Sequence, residues 1–402
     1  MNWNQEGQDI NGESSYDRLG YAVALSADGM IMAVGAPGAW WDDDRPGHVN
    51  IFFREGQGSS WVQRGDTLYG EANGDQFGRS LSLSGDGNTL SIGVPYNDGN
   101  GIDAGRVSVY RWDGVALNYE QRGDALRGEA SGDGFGWSLD LSSDGEVLAV
   151  GSPYNDSNGE DSGRVQVYAW DLVSSTYEQR GQAMNGSAAY DRFGWSVSLS
   201  GDGTKLAVGA EDNDSNGEDS GQVRLFELNE SDMSYEPLGG PLNGDAPGDW
   251  FGWSVSLSDD GTTLAIGATE VGVNGNASGQ VKIFKYDDIN VNFKQRGPSL
   301  YGIAAEDRFG SSVVLSSDGN MLAVGASQRD ADKPGFVKAF RLDEDALVYK
   351  QLGQTLNGDR SGDWFGSAVA LSEDGKTLAV GAPDSNEDGD DSGEAKMYNI
   401  DF

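Results

Sequence analysis

Two stretches set oxygen-bearing side chains at alternate positions just ahead of a glycine. At 212–217 the order is D-x-D-x-N-G, with Asp212, Asp214 and Asn216 before Gly217 and Asp219 just beyond. At 384–389 it is D-x-N-x-D-G, with Asp384, Asn386 and Asp388 before Gly389. Alternating oxygens that converge on a hard cation, with a glycine for the sharp turn, form the first half of an EF-hand-type calcium loop. The twelfth position, where a bidentate Glu would stand, is Val223 in one stretch and Ala395 in the other. Carbonyls, water or neighbouring segments would have to complete a Ca2+ site. A weaker form recurs at Asp98, Asn100 and Asp103, and at Asp156, Asn158 and Asp161, with Tyr96 and Tyr154 at the first position. There, turn formation by Asp, Asn and Gly is the preferred reading.

Other chemistry is sparse. There is no cysteine, so thiolate sites and disulfides are excluded, and His48 is the one histidine. A Ser/His/Asp arrangement has no clear basis. Acid/base work needs only two placed carboxylates, but no pair stands out among 65 Asp and Glu. Trp40 and Trp41 sit beside three Asp residues in the stretch GAWWDDDRPG. Adjacent exposed tryptophans are candidate anchors for a protein or a sugar ring. Trp137, Trp195 and Trp253 each follow an FG dipeptide. They alternate in step with the bulky face of a strand and are read as inter-blade core.

The elements that carry these residues are set by a repeat. DRFGWSVSLSGDGTKLAVGA, from Asp191, has relatives at Asp17, Asp75, Asp133, Asp249 and Asp307, 58 residues apart, and a last one at Asp363 after 56. A period of this length marks a repeat architecture. Within a unit, Phe193, Trp195, Val197 and Leu199 alternate with Gly and Ser, which is the period of a strand. Asp202-Gly203 signals a tight hairpin. KLAVGA, QVRLFEL and a segment from Tyr235 follow as further strands, with no helical pattern. Seven units of four short antiparallel strands describe an all-β, seven-bladed β-propeller, read as one domain over 1–402. The small Gly/Ser face of the first strand suits burial against the bulky face of the next blade.

The last unit lacks its fourth strand. That strand carries aromatic-x-Gln-x-Gly elsewhere, as in Trp61-Gln63-Gly65, and Trp3, Gln5 and Gly7 carry it at the N-terminus. Residues 1–13 are therefore expected to complete the seventh blade and close the ring, leaving no open sheet edge.

Net charge is −38. A phosphate backbone would be repelled, which argues against nucleic-acid binding, and cations or basic partners fit better. No apolar run approaches the roughly 20 residues needed to span a bilayer, so no membrane insertion is expected. The N-terminus has no signal-peptide pattern. Five Asn-x-Ser sequons, at Asn155, Asn185, Asn213, Asn229 and Asn276, would permit glycosylation of a secreted chain.

FGWSLDLSSDGEVLAVGSP from Phe135 and FGSAVALSEDGKTLAVGAP from Phe365, each followed by G-x-V or a variant of it, resemble the FG-GAP repeat. That family includes the seven-bladed propeller of integrin alpha subunits. The resemblance covers the whole chain and implies extracellular or cell-surface adhesion with calcium in propeller loops. One departure matters. The family's D-x-D-x-D-G loop lies between the first and second strands, where this chain has SxDG, so its metal site does not carry over. The SxDGxxLAVG hairpins are also similar to WD40-like repeats. The resulting expectation is a non-catalytic, calcium-supported interaction propeller that binds a protein through its acidic loop face. A lectin-like, glycan-binding propeller is the alternative, and a carboxylate-based hydrolase or lyase is the less favoured one.

Overall fold

The computed structural model describes residues 1–39, 45–56, 58–328 and 333–400. Seven antiparallel blades stand around a central channel, and no helix occurs among the described residues. The fourth blade shows the pattern. Its innermost strand is Ser196–Leu199, followed by Lys205–Ala210 and Gln222–Asn229. The outermost strand is broken into Ser234–Pro237 and Leu242–Asn243, both paired with Gln222–Asn229. Val197 faces Val208 across the first pair, and Leu206 faces Phe226 across the second.

The core lies between blades. One cluster joins Ala149, Val165 and Val167 of the third blade to Phe193, Val197, Leu206 and Val208 of the fourth, and each other interface repeats it. The FG phenylalanines sit at the centre of these clusters, with Phe135, Phe193, Phe251, Phe309 and Phe365 essentially inaccessible. Burying one such ring stabilises by about 1.5–3 kcal/mol. The glycines of the motif are the other half of the same contact. A Cβ on Gly209 would lie 2.2 Å from the carbonyl oxygen of Gly252 in the next blade. The FG of one blade and the VG of its neighbour are conserved features of the repeat because their backbones touch.

At one end of the channel the SxDG hairpins converge. Ser200 Oγ donates to Asp202 Oδ1 at 2.7 Å, and the same Asp oxygen accepts the Thr204 N–H at 2.9 Å. The residue between Ser and Asp does something further. Its N–H donates to the carbonyl of its counterpart in the following blade: 27 to 85, 143, 201, 259, 317, 373 and back to 27, at 2.8–3.1 Å. Seven backbone hydrogen bonds thus close a ring around the channel floor.

The N-terminal segment completes the last blade. Trp3–Gln5 pairs with Glu394–Ile400, Trp3 facing Ile400, and Ile10 faces Ala395. The Trp3 indole is buried and its Nε1 donates to the Leu352 carbonyl at 3.2 Å. The closure expected from Trp3, Gln5 and Gly7 is present.

Candidate functional site

The opposite end of the channel is an open mouth, on the face that carries the acidic loops. The residue after each FG, or its equivalent, rings it: Tyr21, Arg79, Trp137, Trp195, Trp253, Ser311 and Ser367, around a cavity of about 410 Å³. Ser327, Trp364 and Pro383 complete the wall. The ring is lopsided. Trp137 and Trp195 lie 4.9 Å apart between ring centroids, and Trp195 and Trp253 lie 5.2 Å apart. Trp250 stacks on Trp253 at 5.5 Å and 8°. The Arg79 guanidinium sits 3.8 Å from the Trp137 ring centroid, within range for a cation–π contact. Across the cavity are small hydroxyl residues, and Ser311 Oγ accepts the Ser327 N–H at 3.2 Å.

This corrects the reading of Trp137, Trp195 and Trp253 as inter-blade core. All three are only half-buried and line the mouth. Strand alternation would place Phe193, Trp195 and Val197 on one face. The backbone breaks it at Gly194, whose φ is +94°, and in the fifth blade the pairing register shifts between Phe251 and Ser254. A bulge of this kind re-aims the side chain that follows it. Phe goes into the interface and Trp turns towards the axis.

A pair of carboxyl groups stands beside the aromatic wall. Arg192, just before FG in the fourth blade, lies 5.8 Å from the Trp195 ring centroid. Its Nη1 is 2.9 Å from Asp212 Oδ2 and 3.4 Å from Glu211 Oε1. Glu211 is 2% exposed, and its Oε2 has no partner among the described residues. Burial, then the neighbouring Asp212 charge, holds the Glu211 carboxyl well above the ordinary range. Burial pushes Asp212 up to about 6, against the pull of Arg192. In the sixth and seventh blades the positions equivalent to Glu211 are Ser327 and Pro383, both in the cavity wall. Two adjacent carboxyls with raised proton affinity beside a cleft are what acid/base chemistry needs near neutral pH.

The other residues singled out in sequence fall into turns. Asp214 Oδ1 accepts the Asp219 N–H at 2.8 Å, Asp98 Oδ1 that of Asp103 at 2.9 Å, and Asp156 Oδ1 that of Asp161 at 2.9 Å. Asn386 Oδ1 accepts the Asp391 N–H at 2.7 Å. Asn100, Asn158 and Asn216 donate their amides to the Gly128, Gly186 and Gly244 carbonyls of the following connector, each at 2.8 Å. Asp384 is paired with Arg18, whose Nε is 2.9 Å from Asp384 Oδ1. Asp388 lies in the same loop. Among the described residues, no three His, Cys, Asp or Glu side chains are grouped to hold a metal ion. The first-position carboxylates of both candidate calcium loops, Asp212 and Asp384, face Arg192 and Arg18. Trp40 and Trp41 lie outside the described residues.

Sequence reasoning also missed Asp140, which lines the floor end of the channel. Its carboxylate accepts from the Leu199 N–H at 2.8 Å, Ser82 Oγ at 2.9 Å and the Leu141 N–H at 3.0 Å. Its distance from bulk solvent pushes the carboxyl up to about 6. Aligning the seven copies shows the signal: that position is Ala24, Ser82, Asp140, Ser198, Ser256, Val314 and Ala370.

The FG-GAP repeat pattern matches residues 69–110, 127–168, 183–226, 243–284 and 355–398, together more than half of the chain. The chain belongs to the FG-GAP repeat family. No curated protein sequence matches it significantly. Among solved structures, this FG-GAP propeller is similar to a protein of Bacteroides uniformis provisionally named a 6-phosphogluconolactonase. The TM-score is 0.58 at 14% identity, over 85% of this chain and 86% of the other. A protein of Bacteroides fragilis with the same provisional name gives 0.57 at 14% identity, over 85% of each chain. The periplasmic gluconolactonase of Pseudomonas aeruginosa gives 0.56 at 16% identity, over 84% and 86%. At these identities the likeness is one of fold. It corrects the expectation of a non-catalytic adhesion propeller, because the propellers matched over about 85% of their length bear the names of enzymes. That expectation rested on the lack of a recognisable catalytic group in sequence. Folding singles out Glu211 and Asp212 from 65 acidic residues by setting them on Arg192 beside the tryptophan wall.

Proposed function

We propose that this FG-GAP propeller is a hydrolase that opens a cyclic ester of a sugar bound at the tryptophan-lined mouth. The observation that carries the reading is the juxtaposition of an aromatic wall with a carboxyl pair of raised proton affinity. Tryptophan faces suit the C–H faces of a sugar ring, and the opposing Ser311, Ser327 and Ser367 offer hydroxyls to its rim. The lactonase names borne by the similar folds favour an ester over a glycosidic bond.

The roles follow from the two proton affinities. Ionised Asp212 takes a proton from water as the water oxygen bonds to the ester carbonyl carbon. The ester C–O bond then breaks, and the departing ring oxygen takes the proton of Glu211. One water is added, and a hydroxy acid leaves. The proton held by Asp212 then passes through solvent back to Glu211, while Arg192, which touches both carboxyls, stabilises whichever is ionised. Catalysis then needs Asp212 ionised and Glu211 protonated, which gives a rate that rises with pH through about 6 and falls when Glu211 ionises.

The test is acid release from glucono-1,5-lactone at constant pH, with the spontaneous rate subtracted. We expect catalysis above background with that rising limb, and a loss of about 100-fold or more in Asp212→Asn. A wild-type rate equal to background, or full activity in a folded Asp212→Asn protein, would overturn the proposal.

A further inference from the structure

Three of the arginines around the mouth are matched by a loop carboxylate. Arg18 pairs with Asp384, Arg192 with Asp212, and Arg308 with Glu270 at 3.3 Å. Arg79 is not. It makes no ion pair among the described residues, and its Nε is buried without a hydrogen-bond partner. Arg79 stands at a different place in the repeat. Arg18, Arg192 and Arg308 precede the FG position, where the second blade has Gln76, whereas Arg79 follows it, and the loop position that supplies Asp212 and Glu270 is Tyr96 there. Arg79 is held by aromatic groups instead: it lies on the Trp137 ring, and its Nη1 donates to the Tyr21 hydroxyl at 2.6 Å. Among these four mouth arginines Arg79 is the one without a counter-charge, and that calls for a ligand.

It also sits at a junction of two cavities. A side pocket of about 190 Å³, lined by Arg18, Tyr21, Gln76, Arg79 and Tyr96, opens beside the main mouth and shares Tyr21, Arg79 and Trp364 with it. The side pocket thus offers the Arg79 guanidinium, two phenol hydroxyls and one amide, beside an Arg18 whose charge Asp384 already balances. That is a donor set for an anion. The main cavity offers the aromatic wall.

We infer that the mouth takes a substrate with an anionic substituent, a carboxylate or a phosphate, held by Arg79 in the side pocket while the sugar ring lies on Trp137 and Trp195. The inference rests on the reading of the mouth as the substrate site. The net charge opposes it at long range, but charges beyond about 8 Å are screened at physiological salt. At contact, the unpaired guanidinium dominates.

Intrinsic tryptophan fluorescence gives a readout independent of turnover. The ligands are sorbitol, gluconate and sorbitol 6-phosphate, which share a polyol chain and differ in the anion. We expect one or both anions to bind about tenfold or more tighter than sorbitol. Which one does so separates carboxylate from phosphate recognition. Arg79→Gln should bring the anions to the sorbitol affinity. Should that variant fail to fold, wild-type affinity for the anion should fall between 50 and 500 mM salt on the order of several-fold, with sorbitol unchanged. Equal affinities for all three ligands, an anion preference that survives Arg79→Gln, or anion affinity that rises with salt would each overturn the inference. Anion preference without lactone hydrolysis would sink the hydrolase reading and leave this one standing. Hydrolysis without anion preference would do the reverse.

Discussion

At the scale of single residues, the informative positions are those where one copy departs from the other six. Asp140 is one. Ser82, Ser198 and Ser256 occupy its place in other blades, and each accepts the N–H of the next blade's leucine, at Leu141, Leu257 and Leu315. Asp140 makes the same bond to Leu199 with a carboxylate. An aspartate titrates near 4 when unfolded, and this one is pushed up to about 6 in the fold. A raised carboxyl favours the folded state while protonated and loses that contribution as pH rises through the folded value. The charged form therefore costs about 3 kcal/mol above pH 7, and the cost fades between about pH 6 and 4. Asp140→Ser keeps the hydrogen bond without the charge. Its stability relative to wild type should be greater at pH 8 than at pH 4 by about that amount, read from denaturant unfolding at both pH values. No difference between the two pH values would show that channel water already solvates the carboxylate.

At the scale of elements, the strands were readable and the loop ends were not. Alternation, SxDG and the spacing of FG and VG determine the blade, because each reflects a backbone contact that repeats seven times. The tryptophans were misplaced because one left-handed glycine, Gly194, resets the alternation that strand logic assumes. The acidic loops are ambiguous in sequence for another reason. Alternate Asp and Asn serve a cation cage and an Asx turn equally well in sequence, and only the fold shows Asp214 capping the Asp219 N–H. On that geometry we expect calcium and magnesium at matched ionic strength to shift the melting temperature equally. A calcium-specific rise, lost on replacing Asp212 and Asp214, would restore the cation reading.

At the scale of the whole molecule, the repeat explains why the fold was legible and the site was not. Repeated residues build the scaffold, so a pattern search finds them first. The ring of the mouth is built from one position per blade, 58 residues apart and 56 at the last step, and its character emerges only when the seven are set side by side. The ring also depends on its seam. Residues 1–13 supply the outer strand of the seventh blade, the buried Trp3, and Glu6, which lies 3.1 Å from the buried guanidinium of Arg54. Their removal exposes a sheet edge and leaves Arg54 without that partner. A chain lacking 1–13 should melt at least about 10 °C lower and tend to associate, as calorimetry and light scattering would show. A truncated chain that melts with the intact one would mean the seam contributes nothing.

The hydrogen-bonded ring at the channel floor has an electrical consequence. Every peptide group in it points the same way around the axis, each N–H following the last. In a helix, peptide dipoles stack along one direction and leave a charge at each end. Here they chase one another around a circle, and their vector sum is close to zero. The floor is therefore girdled by seven polar groups yet projects little net in-plane field up the bore. This ring therefore adds little to the potential felt in the mouth, which the side chains lining it are free to set.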